Sequence, residues 1–124
     1  MNDLAILRLA DGLARHASGR HSLISENIAN ADTPGFRAKD LQPFQAAFDG
    51  EPMRATRAGH LEAPGTRRFE AVRAAAMGAA SPNGNDVALD EQMVKAAQAL
   101  GTHDKATAVY GKTLDILRLA VGGR

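Results

Sequence analysis

Residues 27–36, with the sequence NIANADTPGF, carry the strongest local signals for a change of chain direction. Asn30 and Asp32 have short polar side chains that can bond nearby backbone amides. Thr33 precedes a proline and is therefore biased away from helical angles, while Gly35 readily adopts a turn. We predict that a helix ends here and that a tight turn follows it.

Upstream of this turn, apolar residues recur at helical spacing from about Asp3 to Asn30. The repeating positions are Ile6, Leu9, Leu13, Ala17, Ile24 and Ile28. A stripe of this kind needs a partner surface, because water would otherwise cover it. The pattern predicts an N-terminal helix within residues 1–34, with this stripe as its pairing seam.

A second helical pattern runs from about residue 85 to Val121, with Asn85 or Asp90 as the candidate cap at its start. One row of positions seven residues apart contains Met93, Leu100, Thr107, Leu114 and Val121, and a second row contains Ala96, His103, Tyr110 and Leu117. Two such rows over roughly four repeats are typical of a coiled-coil helix. Residues 85–124 are therefore predicted to be the C-terminal helix.

Residues 35–84 differ in character from both ends. They begin with a possible short amphipathic segment around Phe36, Leu41, Phe44 and Phe48, and continue through several Pro- and Gly-containing turns. Apolar residues there are sparse and mostly alanine. The composition predicts an extended, partly disordered middle with one short strand at most.

The predicted fold is mainly α, with two long terminal helices that form an antiparallel, coiled-coil-like hairpin. Residues 1–34 and 85–124 would then make one helical domain, and residues 35–84 would be the flexible middle. His16 and Arg20 interrupt the first stripe, as His103 and Thr107 interrupt the second. We expect these four to form a polar layer that sets the register of the pair.

The composition predicts a protein that depends on partners for burial. Hydrophobic residues make up 44% of the 124, but Leu, Ile, Val and Phe together supply only about a fifth. A chain this short with so few large apolar groups buries little surface on its own and is marginally stable. The N-terminus lacks the features of a cleaved secretory signal peptide, and no apolar run is long enough to span a bilayer.

No pattern of catalytic, metal-binding or cofactor-binding residues emerges. His16 and His21 are five residues apart and point to different sides of a helix, and no carboxylate cluster completes a ligand set. The net charge of +1 gives no general field for nucleic acid or an anionic membrane. A small DNA-binding protein, suggested only by the basic pair Arg67-Arg68, would need an aromatic platform or a known fold as well.

On its own, the turn at residues 27–36 could be an ordinary helix terminus. In combination with the rest of the chain, Asn27, Asn30, Thr33, Pro34, Gly35 and Phe36 resemble the N-terminal motif of the flagellar rod and hook axial-protein family. Residues 36–41, 84–94 and 110–118 are similar to corresponding stretches of the proximal-rod branch of that family. The resemblance covers both ends of the chain and touches its middle.

This resemblance implies a structural subunit that assembles helically and is not an enzyme. The implied partners are copies of itself, the rod proteins FlgC, FlgF and FliE, and the MS ring and export gate. It also implies passage through the flagellar type III export system without a cleaved signal peptide, to the periplasmic rod of the basal body. A soluble export chaperone or adaptor that binds rod subunits without joining the rod is the alternative.

Overall fold

The computed structural model describes residues 2–49, 69–74 and 80–122. Its elements in chain order are α1 (Asn2–Ala29), β1 (Lys39–Leu41), α2 (Phe44–Asp49), β2 (Ala71–Arg73) and α3 (Leu89–Gly122). At 1.5 Å per residue, α1 and α3 are about 40 and 50 Å long. The described chain is thus dominated by its two terminal helices.

The helices α1 and α3 pack against each other and run in opposite directions. At the end of α1, the Asn27 side chain bonds that of Gln92 in the first turn of α3. Earlier in α1, Leu13 lines the same shallow depression as Thr102, which lies further along α3. The prediction of a mainly α chain with two long terminal helices packed together is confirmed.

The contact between the helices is made largely of small side chains. The buried positions of α1 include Ala10, Ala17 and Ile24, which are seven residues apart. Those of α3 are Gln92, Ala99, Ala106 and Thr113, which are also seven residues apart. We call these seven residues the alanine seam, after the residue at four of the positions. Small side chains let helix axes approach closely, because little volume separates the backbones.

The buried row of α3 lies one residue before the predicted row of Leu100 along the chain, and Ala96, His103 and Leu117 of the second predicted row are half-buried. The period of seven is present, but Met93, Leu100, Tyr110 and Val121 are exposed, and Leu114 and Leu117 are only half-buried. On α1, Ile24 is buried and Leu13 half-buried, whereas Ile6, Leu9 and Ile28 are exposed. The prediction took the largest apolar side chains to be the buried ones, and alanine occupies that place here.

The predicted polar layer between the helices does not form. His16 and Arg20 bond Gln42 and Asp40, which lie outside both helices, and the Thr107 hydroxyl donates to the carbonyls of its own helix. A hydroxyl that bonds back to the preceding turn leaves no donor for a neighbouring helix.

Two short strands form an antiparallel ladder beside α1. Lys39 pairs with Arg73, Asp40 with Val72 and Leu41 with Ala71. The sequence predicted one strand at most, because three-residue strands carry too few positions to show a period of two. The segment predicted around Phe36 and Leu41 is β1 and α2, while the disorder predicted for the middle falls mostly on residues outside the described ranges.

None of the described helices combines the length and the apolar character that crossing a bilayer requires.

Adjacent substitutions in α3 test the placement of the alanine seam. Ala99→Leu should lower the free energy of unfolding by about 1–3 kcal/mol, because it adds volume to a closed contact. Leu100→Ala should change it by no more than about 0.5 kcal/mol, because Leu100 is 56% exposed. Urea unfolding followed by circular dichroism measures the free energy of unfolding of both variants. A larger loss for Leu100→Ala than for Ala99→Leu would show that Leu100 lies in the contact between the helices.

Candidate assembly interface

The end of α1 is joined to β1 and α3 through the side chain of Asn27. This residue is 1% exposed. Its amide nitrogen donates to the Lys39 carbonyl at 2.7 Å and to Gln92 Oε1 at 2.9 Å, and its oxygen accepts from the Lys39 amide at 3.0 Å. Buried polar groups are costly unless paired, and here both donors and the acceptor are used. The three elements are therefore held in one fixed arrangement.

Asn30 and Thr33 form the turn that ends α1. The Asn30 amide side chain donates back to the Glu26 carbonyl at 2.8 Å, and the Thr33 hydroxyl donates to Asn30 Oδ1 at 3.2 Å. The Thr33 amide also bonds the Asn30 carbonyl at 3.0 Å. The Asn30 side chain thus adds a second hydrogen bond to the Glu26 carbonyl, which also accepts from the Asn30 amide at 3.1 Å, and so reinforces the last turn of α1.

Asn85 holds this turn against the segment that leads into α3. The residue is buried, and its side-chain nitrogen donates to the carbonyls of Asn30 and Thr33, both at 2.8 Å. Its side-chain oxygen accepts from the Val87 amide at 2.8 Å. Neither predicted cap occupies the expected place, since Asn85 binds the far end of α1 and Asp90 lies inside α3, which begins at Leu89.

Two glycines meet where these segments cross. Gly35 and Gly84 have φ angles of 73° and 83°, in the left-handed region that favours glycine. The Gly35 amide donates to the Asn83 carbonyl at 3.0 Å, and a side chain on Gly84 would come within 3.5 Å of Gly35 Cα. That distance is an ordinary van der Waals contact, so the positive φ angles, and not a lack of space, account for glycine at both positions.

Asp86 is the charged member of this region. Its side chain is 2% exposed, and Oδ1 accepts from the Ala38 amide at 2.6 Å. Oδ2 lies 3.5 Å from Arg37 and 3.7 Å from Arg73. The hydrogen bond from Ala38 lowers the pKa of Asp86 most; burial opposes that shift, and the two arginines add to it. We call Asn27, Asn30, Asn85, Asp86 and Gln92 the polar junction.

Beside the polar junction, a charged network joins both long helices to β1. Arg20 in α1 makes a two-point contact with Asp40, with N···O distances of 2.9 and 3.1 Å. Lys95 in α3 lies 3.8 Å from Asp40 and 2.7 Å from Glu91. A bidentate arginine–carboxylate pair fixes orientation as well as distance.

One turn before Arg20 on the same face of α1, His16 contacts the residue that follows β1. Its Nε2 lies 2.7 Å from the Gln42 carbonyl, which can only accept, so Nε2 carries the proton. The imidazole ring packs edge-on against Phe69 and Phe44, with centroid distances of 4.9 and 5.6 Å. Within the described ranges, no cluster of three or more His, Asp or Glu residues could hold a metal ion.

Two residues of the polar junction, Asn27 and Asn30, lie in a stretch that the model of a known family matches. The model of the flagella basal body rod protein family matches residues 17–37, from the alanine seam through the turn. The flagellar basal body rod protein FlgB of Agrobacterium fabrum is 32% identical over 111 residues, covering 84% of this chain and 83% of the relative.

The chain belongs to the FlgB family of flagellar basal body rod proteins. FlgB of Cereibacter sphaeroides is 30% identical over 112 residues, covering 84% of each chain. FlgB of Bacillus subtilis is 33% identical over 97 residues, covering 75% of this chain and 74% of the relative. The family is one of structural proteins, and this FlgB-family chain is accordingly a structural subunit of the flagellar basal body rod.

All six predicted motif residues lie at or beside the polar junction of this FlgB-family chain. Asn27 is buried, Phe36 is half-buried, and Thr33, Pro34 and Gly35 form the exposed tip of the turn. Sequence reasoning placed Asn27 in the motif but did not foresee its bond to Gln92, 65 residues further along the chain. The sequence predicts Asn85 as a candidate helix cap and places both Asn85 and Asp86 in the stretch 84–94 that resembles the proximal-rod branch, without indicating their contacts to the turn after α1. A purely local pattern carries no information about such long-range partners.

The large apolar residues are the second feature that bears on assembly. Across the described residues, the exposed large apolar side chains are Leu4, Ile6, Leu9, Ile28, Leu89, Met93, Val94, Leu100, Val109, Tyr110, Ile116, Leu119 and Val121. Most of them lie on α3 and on the first part of α1. A monomer rarely exposes apolar side chains in such concentration unless they meet a partner.

Removal of the Asn27 side chain should destabilise the chain strongly. Asn27→Ala leaves Gln92 Oε1 and both backbone groups of Lys39 without their partner, which should cost about 2–4 kcal/mol. The exposed Asp32 offers a matched control, and Asp32→Ala should cost less than about 0.5 kcal/mol. Thermal unfolding of the two variants measures the difference, and equal stabilities would show that the junction does not hold the fold together.

The charge of Asp86 should affect stability in a pH-dependent way. Its folded pKa is depressed, so its ionised form stabilises the fold above the ordinary value of 3.8, and this contribution is lost as pH falls through the folded pKa. Asp86→Asn should therefore be less stable than the parent by a constant amount above about pH 5, with the gap closing below pH 3.8.

Urea unfolding at a series of pH values measures this gap. Asp115→Asn is the control, because Asp115 is exposed and its ion pair, with Arg118 at 3.6 Å, is exposed as well. A gap for Asp86→Asn that stays the same down to pH 2 would contradict the assigned role of the carboxylate.

Proposed function

We propose that this chain builds the proximal part of the flagellar rod, where it assembles helically with copies of itself and with other rod proteins. In this role it links the export gate and the MS ring to the distal rod, with FlgC, FlgF and FliE as neighbours. It reaches the periplasmic rod through the flagellar type III export system without a cleaved signal peptide. Residues 1–34, 35–84 and 85–124 act as helix, middle segment and helix of one assembling unit.

The observation that carries this proposal is the distribution of small and large apolar side chains on the two long helices. Alanine occupies four of the seven buried seam positions, and many of the larger Leu, Ile, Val, Met and Tyr side chains are exposed. Apolar area removed from water is worth roughly 25 cal/mol per Å², so a surface of this kind favours association with other helices. Predicted seam residues such as Leu100 and Tyr110 thus support assembly between subunits.

The polar junction complements this surface. It fixes the angle at which the chain leaves α1 and enters α3, and so presents the turn at Thr33, Pro34 and Gly35 in a constant position. A rigid subunit loses less entropy when it joins an assembly than a flexible one does. This supports a role for the motif residues in setting the geometry of the subunit within the rod.

A single charged substitution on the outer surface tests the proposal. Leu119 is 76% exposed, so Leu119→Asp should leave the thermal unfolding of the purified chain unchanged. In a gene-deletion strain complemented with the tagged variant, swimming should be lost and the variant should be missing from purified basal bodies. Ala97→Asp places the same charge at an exposed position of α3 on the acidic row of Asp90 and Asp104, and should be tolerated.

The tagged parent chain provides the reference in the same experiment. Restored swimming with the tag retained in basal bodies would support a rod subunit. Restored swimming with no tag in basal bodies would contradict it and indicate the export chaperone or adaptor.

A further inference from the structure

Two separate apolar surfaces lie on α3. The leucine face consists of Met93, Leu100 and Tyr110, and the isoleucine face consists of Val109, Ile116 and Leu119. At 3.6 residues per turn, the two faces are roughly half a turn apart around the helix. The row of Met93 and Leu100 continues to the exposed Val121, so the two faces overlap along the helix. A single flat partner surface could not cover both.

The two faces flank the alanine seam on opposite sides. On one side, Lys95 and Thr102 lie beside β1 and α2, where Lys95 is 3.8 Å from Asp40 and Thr102 lines a depression with Leu41 and Phe44. Val109 and Ile116 continue that row at the same spacing of seven, and both are exposed. The isoleucine face therefore begins where the cover from the chain's own strands and short helix ends. The leucine face lies on the opposite side.

Acidic residues predominate beside the leucine face and basic residues beside the isoleucine face, while Arg118 shares the row of Asp90 and Asp104 and Asp115 lies beside Leu119. Asp90 and Asp104 are exposed and lie on one row beside the leucine face. Lys105 and Lys112 are exposed and lie on the row that Leu119 shares, within the isoleucine face. An apolar centre with an acidic rim matches an apolar centre with a basic rim, and such complementarity favours the correct partner and its orientation.

We propose that the leucine face of one subunit packs against the isoleucine face of a second copy of this chain. Because the two faces differ, the contact is heterologous: each copy uses one face on the subunit before it and the other on the subunit after it. Repeated heterologous contacts that do not close on themselves produce an open helix instead of a closed ring. The inference rests on the proposed function and names the surfaces that carry it out.

Disulfide trapping in assembled basal bodies tests this contact, and the chain is suited to it because it contains no cysteine. The double variant Leu100→Cys with Ile116→Cys should give a ladder of dimers and higher multimers of this chain on mild oxidation. Leu100→Cys alone and Ile116→Cys alone should give no dimers, because like faces do not meet. The control pair Ala108→Cys with Ile116→Cys should give no ladder.

A second probe covers the case in which the cysteine variants do not assemble. Replacement of Tyr110 by the photo-reactive p-benzoylphenylalanine keeps an aromatic ring at that position. After irradiation of basal bodies, mass spectrometry should find Tyr110 joined to residues 109–119 of a second copy.

The outcomes separate this inference from the proposed function. Dimers from Leu100→Cys alone would show that like faces meet, and would overturn the heterologous contact. Crosslinks to a different rod protein at both probes would overturn the choice of a second copy. Basal bodies that contain the variants but yield neither crosslink would overturn the pairing of the two faces while leaving the chain a rod subunit. Absence of the tagged parent chain from basal bodies would instead contradict the proposed function.

Discussion

The structure depends above all on the buried amide of Asn27. One side chain bonds Gln92 in α3 and both backbone groups of Lys39 in β1, so α1 cannot shift against either element without the loss of hydrogen bonds in a closed environment. The buried amide of Asn85 has a similar role on the other side of the turn, where it donates to the carbonyls of Asn30 and Thr33. An apolar contact of alanines alone would tolerate sliding, and these directional bonds remove that freedom.

The alanine seam and the exposed apolar residues both follow from the placement of small side chains between the two helices and larger ones on their outer surface. Small side chains at Ala10, Ala17, Ala99 and Ala106 allow close packing of the helix pair but contribute little burial each. The residues that could contribute more, such as Leu100 and Leu119, lie on the outside. The isolated chain is therefore expected to be only marginally stable, and association would supply the burial that it lacks.

The sequence predicted the parts of the fold that depend on local pattern. The length of both helices, their pairing, the period of seven and the turn at Thr33-Pro34-Gly35 are all visible in it. On α3 the buried row contains Ala99, one residue before the predicted row of Leu100. Both rows have a spacing of seven, and the larger size of Leu100 favoured its row in the prediction. The partners of Asn27 and Asp86 lie far along the chain, so their roles could only be seen once the helices were placed side by side.

A density map of the intact basal body at side-chain resolution would test the central claim of this account most directly. The account predicts that Ala99 and Ala106 face α1 of the same chain, while Leu100 and Leu119 are buried by neighbouring subunits. A rod in which the Leu100 row packs on α1 of its own chain, with the alanine rows turned toward neighbours, would contradict it.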